Sequence, residues 1–169
     1  MPKQFIWLIV GAAGIMVLGG VLFYAQPKAQ DHSAMDVKSS GNALNVKVDP
    51  LYYDFGTISM KNGLVTKSFS VKNEQEQSVD LAELYTSCMC TLAKIKIEQS
   101  EYGPFGMLGH GAMKMLNQSL APGQEAQLEV TFDPNAHGPS GIGVIERIVT
   151  LKSGKGELAN INIKATVTP

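Results

Sequence analysis

From Leu44 onward, apolar and polar residues alternate with a period of two in short runs broken by turn residues, the pattern of half-buried strands. The first run sets Leu44, Val46 and Val48 on one side and stops at Asp49-Pro50, and Tyr52 to Ile58 makes the next. Val65, Lys67, Phe69 and Val71 form the inward set of a third run, with Thr66, Ser68, Ser70 and Lys72 outward, and a polar turn covers Asn73 to Gln77. Val79, Leu81 and Glu83 alternate less cleanly with Asp80, Ala82 and Leu84. Leu92, Lys94, Lys96 and Glu98 alternate with Ala93, Ile95, Ile97 and Gln99. After the Pro122-Gly123 turn, Ala126, Leu128, Val130 and Phe132 share a face up to Asp133-Pro134. Ile145 with Ile148 to Leu151 makes one further strand, and Leu158, Ile161, Ile163, Ala165 and Val167 the last, around a turn from Lys152 to Gly156. No helical period is long enough to compete, so the expected fold class over 44–169 is all-β, a sandwich.

The first residues read differently. Phe5 to Tyr24 carries no charge, and about 20 apolar residues span a bilayer as a helix. Trp7 and Tyr24 suit the two interfaces, and Lys3 precedes the span, which favours a cytoplasmic segment 1–4 and a C-terminal domain on the extracytoplasmic side. The expectation is an uncleaved transmembrane anchor at 5–24 whose partner is the lipid bilayer. Residues 25–43 are rich in Pro, Lys, Asp, Ser, Gly and Asn and read as a flexible linker; His32 within it reads as solvated.

Composition narrows the function. The 169 residues have room for one membrane segment and one domain. The formal net charge is −1 and the Lys and Arg residues are dispersed, so no nucleic-acid partner is expected. Gly138-Pro139-Ser140-Gly141-Ile142 lacks a glycine of the nucleophile elbow, and phosphate-loop and zinc-protease motifs are missing. Asp49, Asp54 and Asp133 lie beside turns, where carboxylates cap backbone amides. No catalytic acid is assigned, and the expectation is that the protein is not an enzyme.

Both cysteines fall in Thr86-Ser87-Cys88-Met89-Cys90-Thr91. If that stretch is extended, Cys88 and Cys90 point the same way with Cα atoms roughly 6.6 Å apart and Met89 faces away. Downstream, Tyr102 to Gln118 reads as a Gly/Met-rich loop that adds Met107, His110, Met113 and Met115. Thiolate, thioether and imidazole donors together suit a soft ion. The metal reading takes Cys88, Cys90, Met107 and His110 as ligands, Met113 and Met115 in reserve, with Cu(I) as the ion and zinc as runner-up. Two other readings stand beside it. The cysteines are packed as small apolar side chains and the loop is a flap or sandwich edge that meets a protein partner, or the pair does thiol-disulfide work. His137, beside Gly138-Pro139, reads as a turn residue.

The ordered set Asp54-Phe55-Gly56-Thr57-Ile58, Lys67-Ser68-Phe69-Ser70-Val71-Lys72-Asn73, Ser87-Cys88-Met89-Cys90-Thr91, Leu120-Ala121-Pro122-Gly123 and Val130-Thr131-Phe132-Asp133-Pro134 resembles a bacterial family. It is the exported domain-of-unknown-function family related to Hydin-type and major-sperm-protein-type immunoglobulin-like domains. The resemblance covers Leu44 to the C-terminus and implies an immunoglobulin-like sandwich of about seven strands, used as a binding or assembly module. The chain departs from the family at Met89, where glycine is commonest, and in its longer loop 102–118.

Overall fold

The computed structural model describes residues 46–110 and 115–169. The segment 1–4, the expected anchor 5–24, the linker 25–43 and Met113 lie outside the described residues. Among the described residues no helix is long and apolar enough to cross a membrane.

Among the described residues, ten strands follow in chain order: β1 (Lys47–Asp49), β2 (Tyr52–Ser59), β3 (Val65–Lys72), β4 (Val79–Thr86), β5 (Thr91–Ile97), β6 (Ser100–Phe105), β7 (Met115–Leu120), β8 (Glu125–Phe132), β9 (Gly143–Ser153) and β10 (Gly156–Thr168). They form two five-stranded sheets, ordered β1-β3-β8-β5-β6 and β2-β10-β9-β4-β7. With β1 and β2 as two halves of one first strand, the cores of the sheets have the A-B-E-D and A′-G-F-C order of an immunoglobulin-type sandwich. The pairing of β2 with β10 is parallel, as that order requires, and the remaining pairings between strands are antiparallel.

The strand count exceeds the expected seven or so for two physical reasons. Pro50 has no N–H to continue a ladder, and the chain breaks there so that β1 joins one sheet and β2 the other. The Gly/Met-rich segment also supplies strand, since β6 runs to Phe105 and β7 starts at Met115, adding an edge to each sheet. Gly103 makes the first of these possible. It has φ +120°, and a Cβ there would stand 2.9 Å from the carbonyl oxygen of Ala93 on β5.

Burial follows the sequence alternation. Ala126, Leu128, Val130 and Phe132 of β8 lie beside Phe69 and Val71 of β3 and Ala93, Ile95 and Ile97 of β5 on the inner surface of one sheet, in one core with Leu81, Leu84, Val149, Leu151, Ile161 and Ile163 from the other sheet. The uneven alternation from Val79 to Leu84 has a structural cause. A register shift between Leu81 and Glu83 changes the phase of β4, so that Leu84 and Thr86 turn inward. That shift is what sends Thr86 into the interior at the end of β4.

Candidate metal centre

The cysteine motif is where the chain leaves one sheet for the other, between β4 and β5. It is a tight turn, not the extended strand end expected: the Thr91 amide donates to the Cys88 carbonyl at 3.1 Å. Buried Thr86 braces the turn from inside, with Oγ1 3.0 Å from the Cys88 carbonyl oxygen and 2.9 Å from that of Thr91. Two further ties fix its edges. Ser87 exchanges hydrogen bonds with Ile148 of β9, amide to carbonyl and amide to hydroxyl, each 2.9 Å. The Asp133 amide donates to the Cys90 carbonyl at 2.8 Å.

The turn brings the sulfurs together. Cys90 Sγ donates to Cys88 Sγ at 2.7 Å, and the Cys90 amide stands 3.5 Å from the same sulfur. Cys90 is 2 % exposed, Cys88 is half-buried, and Met89 between them projects outward at 54 %. Both thiols are free.

Two residues from distant strands complete the cluster. Register carries His137 there: Phe132 pairs with Thr91, so the segment leaving β8 must pass the cysteine turn. His137 precedes the short 3-10 turn Gly138–Gly141, its carbonyl accepting from Ser140 Oγ at 2.6 Å, and its Nε2 stands 3.1 Å from Cys88 Sγ. The ligand atoms of Cys88, Cys90 and His137 all lie within 4.8 Å of one another. Arg147 enters from β9. Period-two phase sets it on the inward row with Ile145 and Val149, and its Nε donates to Cys90 Sγ at 3.2 Å.

These contacts divide the thiols electrostatically. Burial opposes ionisation of Cys88, but hydrogen bonds from the Cys90 thiol and amide and from His137, with the Arg147 charge, together bring it from its usual 9.0 down to about 7. Burial pushes Cys90 up, and its hydrogen bond to Cys88 pushes it further, against the opposing pull of Arg147 and Thr91. Cys88 is therefore the more acidic of the two sulfurs, and Cys90 is the donor to it. Burial works against the Arg147 charge, yet the two sulfurs hold its pKa above the ordinary arginine range.

The downstream donors are placed otherwise. Met107 is half-buried, makes an isolated parallel β-bridge to Thr86, and follows Gly106, whose carbonyl accepts the Thr86 amide at 3.1 Å. The segment thus starts alongside the cysteine turn. His110 is exposed, and its amide donates to the Met107 carbonyl at 3.3 Å; the imidazole standing against the sulfurs is that of His137. Met115 is exposed at the start of β7, on a sheet edge.

The sequence matches no protein-family profile, and no curated protein matches it. Among solved structures, a protein of unknown function from Porphyromonas gingivalis is similar at a TM-score of 0.52 and 14% identity, over 77% of this chain and 51% of that one. The likeness is one of fold. The chain spans about half the length of that protein. The ASH / PapD-like domain of human CEP192 aligns at a TM-score of 0.42 and 12% identity, over 84% of this chain and 98% of that domain. The YadV chaperone aligns at 0.44 and 7%, over 75% and 53%.

Neither His137 nor Arg147 was singled out as a ligand or its partner from sequence. Arg147 was within reach of that reasoning, because an arginine in phase with Ile145 and Val149 on a strand must find a buried partner. His137 lies 49 positions from Cys88 and is brought to it only by strand register.

Proposed function

We propose that this protein binds a single soft metal ion through Cys88, Cys90 and His137, in a domain displayed from a membrane anchor. The observation that carries the reading is the convergence of three ligand atoms within 4.8 Å of one another at a braced turn. Two thiolates and an imidazole are a donor set for Cu(I) or zinc.

Charge decides between the two. Two thiolates and the Arg147 guanidinium sum to one negative charge, so a monovalent ion makes the half-buried site neutral and a divalent ion leaves it positive. A net charge in a partly dehydrated site is costly, and Cu(I) is accordingly the preferred occupant. Arg147 acts from behind the ligands by donating to the Cys90 sulfur, as groups that orient metal ligands do. Cys88 and exposed His137 leave the outer side open to an incoming donor, and Met107, whose backbone bridges to Thr86, is the candidate for it. Binding releases the Cys90 proton, since both sulfurs must be thiolates.

The anchored, extracytoplasmic placement rests on the uncharged run from Phe5 to Tyr24, and kinship with the exported bacterial family rests on the ordered motifs. Together they describe a membrane-tethered module that holds or hands on a soft metal ion. The test is a Cu(I) competition titration of the full chain in detergent, under reducing conditions, against a chromophoric chelator. Wild type retains one equivalent and the Cys88→Ser/Cys90→Ser double variant retains none. Equal retention by both would overturn the reading.

A further inference from the structure

We propose that, free of metal, the same turn is a dithiol-disulfide couple that exchanges with small solvent-exposed disulfides and thiols, with Cys88 as the attacking sulfur and Cys90 as the resolving one. This activity needs no ion and is blocked by one, because both uses draw on the same two cysteines.

Accessibility sets the order of events. Cys90 is 2 % exposed, so a disulfide arriving from solvent does not reach it, whereas Cys88 is half-buried beside outward-facing Met89 and exposed His137. Attack therefore falls to Cys88. The Cys88 thiolate takes one sulfur of the incoming disulfide, the substrate S–S bond breaks, its other half leaves as a thiolate, and a Cys88 mixed disulfide forms.

The second step needs a sulfur already in place, and the turn supplies one. Cys90 Sγ stands 2.7 Å from Cys88 Sγ, held by the same turn that pairs the Thr91 amide with the Cys88 carbonyl. Cys90 gives its proton to the departing thiolate and attacks Cys88 Sγ; the mixed disulfide breaks and the second substrate half leaves as a thiolate, which takes its proton from water. Arg147 Nε, 3.2 Å from Cys90 Sγ, donates to the sulfur on which charge develops. The dithiol loses two electrons and becomes one intramolecular disulfide, while the substrate disulfide gains them and leaves as two thiols. A loop closed by so few residues is strained and readily reduced, so the closed form is the oxidising side of the couple: an excess of small disulfide drives closure and an external thiol restores the dithiol.

The experiment uses the reduced full chain in detergent with a metal chelator, mixed with a large excess of oxidised glutathione, acid-quenched and read by intact mass. Wild type closes its own disulfide, carries no glutathionyl adduct, and releases two equivalents of glutathione. Cys90→Ser stops as a stable adduct that maps to Cys88. Cys88→Ser takes no adduct while folded and reacts at Cys90 once unfolded in guanidinium. An adduct on Cys90 in folded Cys88→Ser, or a folded Cys90→Ser that stays unmodified while its unfolded form reacts, overturns the proposal. Intact exchange without Cu(I) retention defeats only the metal reading, and Cu(I) retention without exchange defeats only this one.

Discussion

Cys90→Ala isolates what the second sulfur does for the first. In the native turn the Cys90 thiol donates to Cys88 Sγ at 2.7 Å, the largest of the contacts that draw Cys88 down to about 7 against the burial that opposes ionisation. The variant removes this donor and keeps the Cys90 amide, His137 and Arg147 in place. The Cys88 midpoint should rise from about 7 toward its usual 9.0. A rise of about one unit lowers the thiolate fraction at pH 7 from about one half to about one tenth. Rate alone understates this, because a thiolate of higher pKa is intrinsically more nucleophilic, by about threefold per unit. The assay is therefore the full pH profile of iodoacetamide alkylation of metal-free protein, read at its midpoint. A higher midpoint with a higher plateau is expected. An unchanged midpoint would refute the argument that Cys90 acts as hydrogen-bond donor to a Cys88 thiolate.

Three more outcomes can be checked. Metal-free stability should rise with pH between about 7 and 9.0, because the unfolded chain retains the Cys88 proton that the folded protein has already lost; it should fall above 9.0, where unfolded Cys90 ionises while folded Cys90 resists. Urea midpoints across that range should lose their rising limb in Cys88→Ala. Thr86→Val keeps the shape but removes the hydroxyl that reaches the carbonyls of Cys88 and Thr91, and should cost about 1–3 kcal/mol in urea unfolding. Asn73→Ala should cost roughly 3 kcal/mol, since this fully buried side chain donates to the carbonyls of Gln77, Leu120 and Ala121 and accepts from the Gln75 amide; a loss below about 1 kcal/mol would mean that other groups replace those bonds.

Alternation made most of the sandwich legible, because residues such as Ala126, Leu128, Val130 and Phe132 have no other period to follow and all four are buried. Asp54 and Asp133 cap turns as their positions suggest, accepting the amides of Gly56 at 2.7 Å and Asn135 at 2.8 Å. Where the reading slipped, the cause was non-local. The uneven alternation around Leu81 marks the phase change in β4, but the shift in its pairing to β7 that accompanies it is set by the neighbouring strand. Ser87-Cys88-Met89-Cys90 has no Gly or Pro to mark a turn, yet the crossing between sheets imposes one. The outward direction of Met89 came out of the extended reading as well as the true one, so it discriminated nothing.

The site divides the same way. Proximity of Cys88 and Cys90 was legible because it is local. The imidazole partner was sought in the Gly/Met-rich segment because His110 lies among candidate thioethers, whereas His137 reaches Cys88 through the pairing of Phe132 with Thr91. Gly141 belongs to this arrangement too, since a Cβ there would stand 3.2 Å from the Cβ of His137.

The most direct test of the central claim is X-ray absorption at the copper edge of the Cu(I)-loaded full chain, wild type beside His137→Ala and His110→Ala. Two sulfur scatterers and one imidazole nitrogen are expected in wild type, with the nitrogen lost in His137→Ala and retained in His110→Ala. A sulfur-only shell in wild type, or a nitrogen that disappears with His110 instead, would contradict a centre built from Cys88, Cys90 and His137.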